Sequence, residues 1–339
     1  MMLRELTKSP EAPTWSTTAR RLIARREVSL LAVLVALVVV FSVLSPRFAS
    51  LATAGQILNS MSIVVIVGVG LTLVLMTRNI DVSVGSMVGL TAYFAADLGA
   101  KNPDMPLPAV VLASCVLGLL LGAFNGLIVA TLGVPSIMVT LGTLYIYRGI
   151  DSILAGSNQV TANTMPEGYD TIASWSLLGI PGLVFYAFAI AIVAHCFIRH
   201  TFAGRSVLAI GSSPEAAVKM GLPARRWVFF AFALSGLLCG LAGVLWGARY
   251  GTVDSSVATG FEITVLAAVV VGGISVNGGN GSIAGLLIGA AILSVISTGL
   301  ALLNVSPFWL QAIQGAVIVA AIVSDSIIRT RTEARGASA

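Results

Sequence analysis

Residues 263–324 read ITVLAAVVVGGISVNGGNGSIAGLLIGAAILSVISTGLALLNVSPFWLQAIQGAVIVAAIVS, and this stretch contains no Asp, Glu, Lys or Arg. A helix that crosses a bilayer needs about 20 mainly apolar residues, so the stretch has room for three such helices. Uncharged runs also occur at Phe48–Thr77 and Met105–Tyr147, and the second of these has room for two helices. These three runs predict an all-α polytopic membrane protein.

The overall composition supports the same fold class. Hydrophobic residues make up 57% of the 339-residue chain and charged residues only 10%, whereas about 25% charged residues is usual in soluble domains. Alternating strands of about ten residues, which would indicate a β-barrel, are absent from the sequence. Glycines recur at every fourth position in Gly118, Gly122 and Gly126, and this spacing lets membrane helices pack closely. We therefore expect a compact helical bundle.

Positively charged residues cluster in three segments, and these clusters predict the orientation of the chain. Lys and Arg are concentrated near the N-terminus, in the central loop and near the C-terminus. The positive-inside rule places such clusters in the cytoplasm. A nucleic-acid-binding surface is the rival interpretation, but the apolar helices beside the clusters argue against it. We predict about ten transmembrane helices with both termini cytoplasmic, divided as follows: a cytoplasmic segment at 1–28, a transmembrane domain at 29–328, an outer loop at 150–181, a cytoplasmic loop at 199–226 and a cytoplasmic tail at 329–339.

The sequence contains a short internal similarity. Residues 85–90 read GSMVGL and residues 281–286 read GSIAGL, and each segment opens a predicted helix after a polar break. Both helices run outward in the predicted topology, as a parallel repeat requires, but chance similarity between Gly-rich helices is the alternative. Two polar joins, 132–136 and 275–282, are either surface turns or breaks within the membrane.

The cytoplasmic loop at 199–226 contains the signals of a short amphipathic helix. Ser213 suits the N-cap, Pro214 the first helical position, and Gly221 the left-handed position beyond the end. Glu215 lies near the N-terminus, where the helix dipole favours negative charge. The predicted apolar face consists of Ala216, Ala217 and Met220. A helix this short is marginally stable alone, so we expect a partner to cover that face.

Three polar residues are candidates for a solute path through the bundle: Asp81, Asn125 and Glu262. Polar and ionisable groups at membrane depth are costly and are often functional. Structural roles are the alternative. Asp81 can cap a helix with Arg78 neutralising it, Asn125 can bond across helices, and Glu262 can cap the helix that starts near it. Both interpretations remain open from the sequence.

Other function classes find little support. The sequence contains no Gly-x-x-x-x-Gly-Lys-Ser/Thr motif, so any ATP that the protein uses must be hydrolysed by another chain. It offers no nucleophile–base set and no metal-ligand cluster, and we therefore expect no catalytic residue, no cofactor and no metal site. Few acids or His residues are available inside the membrane for an ion relay, which argues against the alternative of a self-contained secondary transporter or facilitator.

Four motifs in the chain resemble those of a known family. They are LMTRNIDVSVGS at 75–86, PSIMVTLGT at 135–143 with YRG at 147–149, GSSPEAA at 211–217 with MGL at 220–222, and AAVVVGGIS at 267–275. The resemblance runs from about residue 30 to residue 328 and is to permease subunits of bacterial ABC importers for ribose, xylose and related monosaccharides. The TRNID wording is most similar to the branch that serves autoinducer-2 or rhamnose, since many sugar relatives resemble Gly-Gly-Ile-Asp there.

The resemblance implies a division of labour among several chains. A periplasmic binding protein would deliver the sugar, two identical or homologous permease chains would form the path through the inner membrane, and two cytoplasmic ATPase subunits would bind the Ser213–Gly221 helix. The loop at 150–181 would be periplasmic. Lys101, Arg148 and Arg249 are the outward basic residues that could steer a binding protein, although the last two also end helices, where the dipole favours a cation.

Overall fold

The computed structural model describes residues 26–306, 308–316, 318–319 and 323. The predicted cytoplasmic segment 1–28 therefore lies outside the described residues except for 26–28, and the predicted tail 329–339 lies wholly outside them. Most of the described chain is helical. The helices are α1 (Arg26–Leu44), α2 (Leu51–Met76), α3 (Val84–Lys101), α4 (Leu107–Leu127), α5 (Ser136–Ala155), α6 (Thr171–Ser174), α7 (Gly182–His200), α8 (Phe202–Ser212), α9 (Pro214–Lys219), α10 (Ala224–Tyr250), α11 (Phe261–Val271) and α12 (Ile283–Leu302).

Short strands occur only in the connecting segments of the described chain. They are β1 (Val160–Thr161), β2 (Ser176–Leu177), β3 (Ile180–Pro181) and β4 (Thr252–Val253). β1 pairs antiparallel with β4 and so fastens the long loop at 150–181 to the residues that follow α10. β2 pairs with β3 around Leu178 and Gly179, whose φ angles of 54° and 80° match the tight hairpin turn with two positive φ values.

Fewer of the described helices than the predicted ten meet the criteria of length and apolar character for crossing a membrane. Seven of the described helices satisfy both, namely α1, α2, α4 with its π-helical continuation Ile128–Leu132, α5, α7, α10 and α12. At 11 residues, α11 is too short to cross a bilayer by itself. The tenth predicted helix lies only partly within the described residues, where 308–316 are helical. The polytopic α-helical class is confirmed, whereas the total of ten helices stays a prediction.

The core of the bundle is built around α2 and α10. Every residue of α2 from Ser62 to Met76 is buried, as expected for a helix that is apolar on all sides. By contrast, α1 buries little of its surface, with Phe41 as the buried residue among its described side chains. The helices α3 and α4 also pack against α10, and α4 carries the buried Asn125.

Glycines bring α4 and α10 into backbone contact. A Cβ atom added at Gly122 would meet the carbonyl oxygen of Phe232 and the backbone of Gly236. One added at Gly236 would meet the carbonyl oxygen of Gly118 in turn. Any larger side chain would push the helices apart, so the close packing predicted from the four-residue glycine spacing is confirmed here.

Two irregular segments interrupt the bundle and touch each other. Residues 77–83 connect α2 to α3, and residues 272–282 connect α11 to α12. The amide of Gly279 donates to the carbonyl oxygen of Met76 at 3.1 Å. The GSMVGL segment (85–90) and the GSIAGL segment (281–286) lie at the ends of these two breaks. That the two segments belong to a structural repeat stays a prediction.

Candidate functional site

The short helix α9 carries the start and stop geometry predicted for it. Ser213 is at the N-cap in extended conformation, with φ −153° and ψ 91°, although its hydroxyl makes no capping hydrogen bond. At the other end, the amide of Leu222 donates to the carbonyl of Ala217 at 3.0 Å, and that of Gly221 donates to Val218 at 2.9 Å. With φ 80° at Gly221, this is a Schellman ending. The helix is therefore sharply bounded.

The apolar surface of α9 is divided between the protein and its surroundings. Ala217 is only 3% exposed because α9 packs on α8 and α10. Met220 is 82% exposed and Val218 is 60% exposed. Glu215 and Ala216 are exposed as well. The sequence analysis placed Ala217 and Met220 together on the apolar face that a partner covers. In the structure, the surface that remains open to another protein is that of Met220 and Val218. Val218 was not among the predicted residues.

The helix α8 holds this segment against both breaks in the bundle. Gly211 lies where a Cβ atom would collide with the carbonyl oxygen of Met76 and the amide of Gly279. The hydroxyl of Ser212 is 3.4 Å from the carbonyl oxygen of Gly279. Because Gly279 also bonds to Met76, three separate parts of the chain meet in backbone contact at this point.

Asp81 lies in the break before α3 and is buried, with 1% exposure. Its Oδ1 atom accepts hydrogen bonds from the amide of Ser83 at 3.0 Å and from the Ser83 hydroxyl at 2.6 Å. Its Oδ2 atom is buried and has no hydrogen-bond partner among the described residues. Arg78, the suggested neutralising neighbour, is exposed and forms no ion pair with Asp81 in the described part of the chain. The Oδ1 atom thus stabilises the turn before α3, and the Oδ2 atom remains able to accept a hydrogen bond from another group.

Asn125 connects Asp81 to two further helices. Its Nδ2 atom donates to the hydroxyl of Ser83 at 2.8 Å. The hydroxyl of Tyr147 on α5 lies 3.2 Å from Asn125 Oδ1 and 2.9 Å from the carbonyl oxygen of Leu121. The structure therefore brings together Asp81 and Asn125, as a common path requires. Ser83 and Tyr147 were missed as site residues, although both occur within the two motifs at 75–86 and 147–149.

Glu262 lies in the first turn of α11 and packs on the backbone of α3. A Cβ atom at Gly85 would collide with its Oε2 atom, which is buried and has no hydrogen-bond partner within the described ranges. Gly85 is close in sequence to Ser83, so Glu262 lies only about half a helical turn along α3 from the Asp81 network. All three predicted path residues therefore border the beginning of α3.

Arg148 is turned into the protein beside Glu262. Its Nη1 atom donates to the carbonyl oxygen of Val257 at 2.7 Å and lies 3.5 Å from Asp151 Oδ2. Asp151 is fully buried, and the sequence did not single it out. A Cβ atom added at Gly89 would meet both Arg148 and Asp151, so this ion pair covers the next turn of the same glycine-lined face of α3.

The other two predicted docking residues differ in exposure. The side chain of Lys101 is 72% exposed, and its Nζ atom bonds to Asp97 Oδ2 at 2.8 Å. This hydrogen bond raises the pKa of the Lys101 ammonium above its usual value. Arg249 is half-buried, and its Nη2 atom donates to the hydroxyl of Ser60 at 2.9 Å. Of the three residues, Lys101 presents the most accessible charge.

Metal ions are bound in proteins mainly by His, Cys, Asp and Glu side chains that lie close together. In the described residues, no group of three or more His, Cys, Asp or Glu could hold such an ion. Cys115, Cys196 and Cys239 are free thiols. The polar sites of the described chain are thus built from hydrogen bonds and one buried ion pair.

Comparison with known proteins shows similarity to permeases of transport systems. Residues 53–322 match a family described as the permease component of branched-chain amino acid transport systems. The chain is 34% identical over 305 residues to the autoinducer 2 import system permease protein LsrC of Salmonella typhi, covering 90% of this chain and 86% of that protein. It is also 34% identical to LsrC of Escherichia coli (strain K12 / DH10B) over 308 residues, which cover 91% and 89% of the two chains. No solved structure matches the chain significantly.

Proposed function

The chain belongs to this family of transport-system permease components, and from that premise we propose that it carries a monosaccharide or similar hydroxyl-rich solute into the cytoplasm. It is a non-catalytic, multi-pass permease subunit of an ABC importer in the bacterial inner membrane, and ATP hydrolysis belongs to a separate chain. The choice of solute is supported by 34% identity, over 90% of the chain, to permeases named for autoinducer 2 import. The resemblance to ribose, xylose and rhamnose permeases supports the same class.

The proposed orientation follows the positive charge. The segment 1–28, the loop 199–226 and the tail 329–339 lie in the cytoplasm, and the loop 150–181 lies in the periplasm. Ten helices then cross or enter the membrane within residues 29–328. In this arrangement α9 faces the ATPase, and the paired strands β1 and β4 face the binding protein.

The proposed path begins at the outer side and passes the start of α3. Asp81 and Glu262 each retain a buried carboxylate oxygen without a partner in the described residues, and Asn125 lies in the same hydrogen-bonded network. Such oxygens can accept hydrogen bonds from sugar hydroxyls, which donate readily. A second permease chain, identical or homologous, completes the path in this proposal.

The proposed coupling contact is the exposed side of the Ser213–Gly221 segment. The residues proposed for this contact are Ser213, Pro214, Glu215, Ala216, Ala217, Met220 and Gly221. Met220 enters a groove of the ATPase subunit, while Glu215 meets a basic residue there. Ala217 fixes α9 to the rest of the permease, so the helix moves as a lever together with α8. For the binding protein, Lys101 is the preferred docking residue, because its side chain is 72% exposed, whereas Arg148 and Arg249 are partly buried and bond to backbone or hydroxyl groups within the chain.

Reconstitution tests the proposal against a self-contained secondary transporter or facilitator. The permease is placed in proteoliposomes with its ATPase and binding protein, and uptake of ribose, xylose, rhamnose, autoinducer 2 and leucine is measured with and without ATP. We expect ATP-dependent uptake of at least one sugar-like solute only when all components are present. Uptake by the permease without its ATPase and binding protein, driven by an ion gradient, would contradict the importer mechanism. Uptake of leucine without uptake of any of the sugar-like solutes would contradict the solute class.

A further inference from the structure

A cavity of about 160 Å³ lies between α2, α10, α11 and α12. Leu310, in the helical residues 308–316, forms part of its wall. The cavity is lined by the C-terminal turns of α10 and the first turn of α11, and the proposed topology places both in the outer half of the membrane. It is separate from the network of Asp81 and Asn125, neither of which lines it.

Arg249 gives the cavity an unused hydrogen-bond donor. Its Nη2 atom is fixed by Ser60, whereas its Nη1 atom is buried and has no hydrogen-bond partner among the described residues. Among the described residues, no Asp or Glu lines the cavity. A buried donor of this kind is costly when it is left unpaired, so an occupant that brings an acceptor oxygen would be favoured.

The rest of the wall combines aromatic rings with hydroxyl groups. Trp246 and Phe261 meet edge to face with ring centroids 5.1 Å apart, and both line the cavity. Thr264 and Ser297 add hydroxyls, and Thr264 Oγ1 accepts a bond from Gln314 Nε2 at 3.1 Å, which leaves its own proton free to donate. Ligand sites typically pair such apolar surface with a few fixed polar groups.

The volume of the cavity matches an occupant of about one ring. An engineered apolar cavity of about 150 Å³ holds one benzene molecule. A furanose or pyranose ring is of the same order of size, and it has an apolar C–H face for the aromatic rings and hydroxyl oxygens for the guanidinium. The cavity therefore fits a single sugar ring better than a disaccharide or a peptide.

We propose that this cavity is an outer binding site in which Arg249 Nη1 donates to an oxygen of the transported sugar while Trp246 and Phe261 cover its apolar face. The inference rests on the proposed function, because it names a site for the proposed solute. It also gives Arg249 a role other than docking of the binding protein. The solute reaches this site first and the polar groups beside α3 afterwards.

The first test compares Arg249→Gln with Arg47→Gln in the complete reconstituted importer. Arg47 is exposed at the same proposed side and does not line the cavity. The binding protein captures the solute, so it determines how uptake depends on solute concentration. The informative quantity for the permease is therefore the maximal uptake rate. Loss of a charged hydrogen bond is expected to lower that rate at least about tenfold in Arg249→Gln, whereas Arg47→Gln should keep the uptake rate, the basal ATPase activity and the assembly of the wild type. A maximal rate in Arg249→Gln equal to that of the control overturns the proposal.

The second test measures occupancy directly. Ser297→Cys is labelled with a small thiol reagent, and Ser157→Cys, which is exposed outside the cavity, serves as the control. The unsubstituted chain gives the background from its native thiols. We expect the solute that the wild-type importer takes up to slow labelling at 297 and not at 157.

If the wild type imports the sugar but the sugar gives no protection, the cavity proposal fails alone, whereas absence of ATP-dependent sugar import by the wild type refutes the proposed function itself. Protection by leucine without protection by sugars would refute the sugar assignment.

Discussion

Met220→Ala is the most direct test of the ATPase contact. Full burial of a Met side chain stabilises a contact by about 1.5–3 kcal/mol. Since Met220 is 82% exposed in the isolated permease, about 1.2–2.5 kcal/mol of this is still available to a partner. At 1.4 kcal/mol for each factor of ten, the substitution should weaken ATPase binding roughly 7-fold to 60-fold.

Two substitutions on the same helix serve as comparisons. Lys219→Ala removes an exposed charge from the polar side and should change binding little, because exposed ion pairs contribute about 0–1 kcal/mol. Ala217→Arg is a poor probe of the interface, since Ala217 is 3% exposed and the new side chain would first disrupt the packing of α9 on the permease itself. The matched pair is therefore Met220→Ala and Lys219→Ala.

The assay is the affinity of purified permease in lipid nanodiscs for the isolated ATPase subunit, with solute uptake as a second readout. The thermal midpoint of the permease should be the same in both variants, because neither side chain is buried. If Met220→Ala binds the ATPase as tightly as wild type, the exposed side of α9 is not the contact, and the segment is only a connector.

Three other predictions concern the path, the packing and the orientation. Asp81→Asn keeps an oxygen that accepts from Ser83 and should preserve assembly while lowering solute uptake several-fold; loss of assembly with normal specific activity would instead support a purely structural cap. Gly236→Val should lower the thermal midpoint and the yield, with a cost of about 1–3 kcal/mol from overpacking between α4 and α10, and an unchanged midpoint would contradict the observed backbone contact. Cysteine at Lys219 should be protected from an impermeant reagent in intact cells, whereas cysteine at Glu167 should react, and the reverse pattern would overturn the proposed topology.

Helix positions were the most predictable part of the fold. The uncharged runs and polar breaks predict helices at 58–77, 83–99 and 283–303. The bounds of α2, α3 and α12 agree with these to within several residues, because length and hydropathy are local properties of the chain. The sequence could also anticipate the glycine-mediated approach of helices. The partner of each glycine strip was less predictable, because the spacing of Gly118 and Gly122 does not identify Gly236 as the neighbour.

Side-chain environments were harder to predict because they depend on residues far apart in sequence. Helical periodicity placed Ala217 on an apolar face, but it could not say that the permease itself covers that residue. Charge asymmetry made Arg249 a candidate docking residue, but it could not show the surroundings of this side chain, which come from four helices and the 308–316 segment. Asp151 was missed for the same reason, since its burial follows from contacts with α3 that no local pattern encodes.

The geometry around α8 explains how movement of α9 could reach the solute path. Ser213 is both the C-cap of α8 and the N-cap of α9, so no flexible linker separates the two helices. At the end of α8, Gly211 is in backbone contact with Met76 and Gly279, the residues through which the two breaks of the bundle touch. Because Gly211 and Gly279 have no side chains that could absorb a displacement, we expect a shift of α8 to move one or both breaks. One of them leads directly to Asp81 and the beginning of α3, so the proposed lever and the proposed path share a rigid connection.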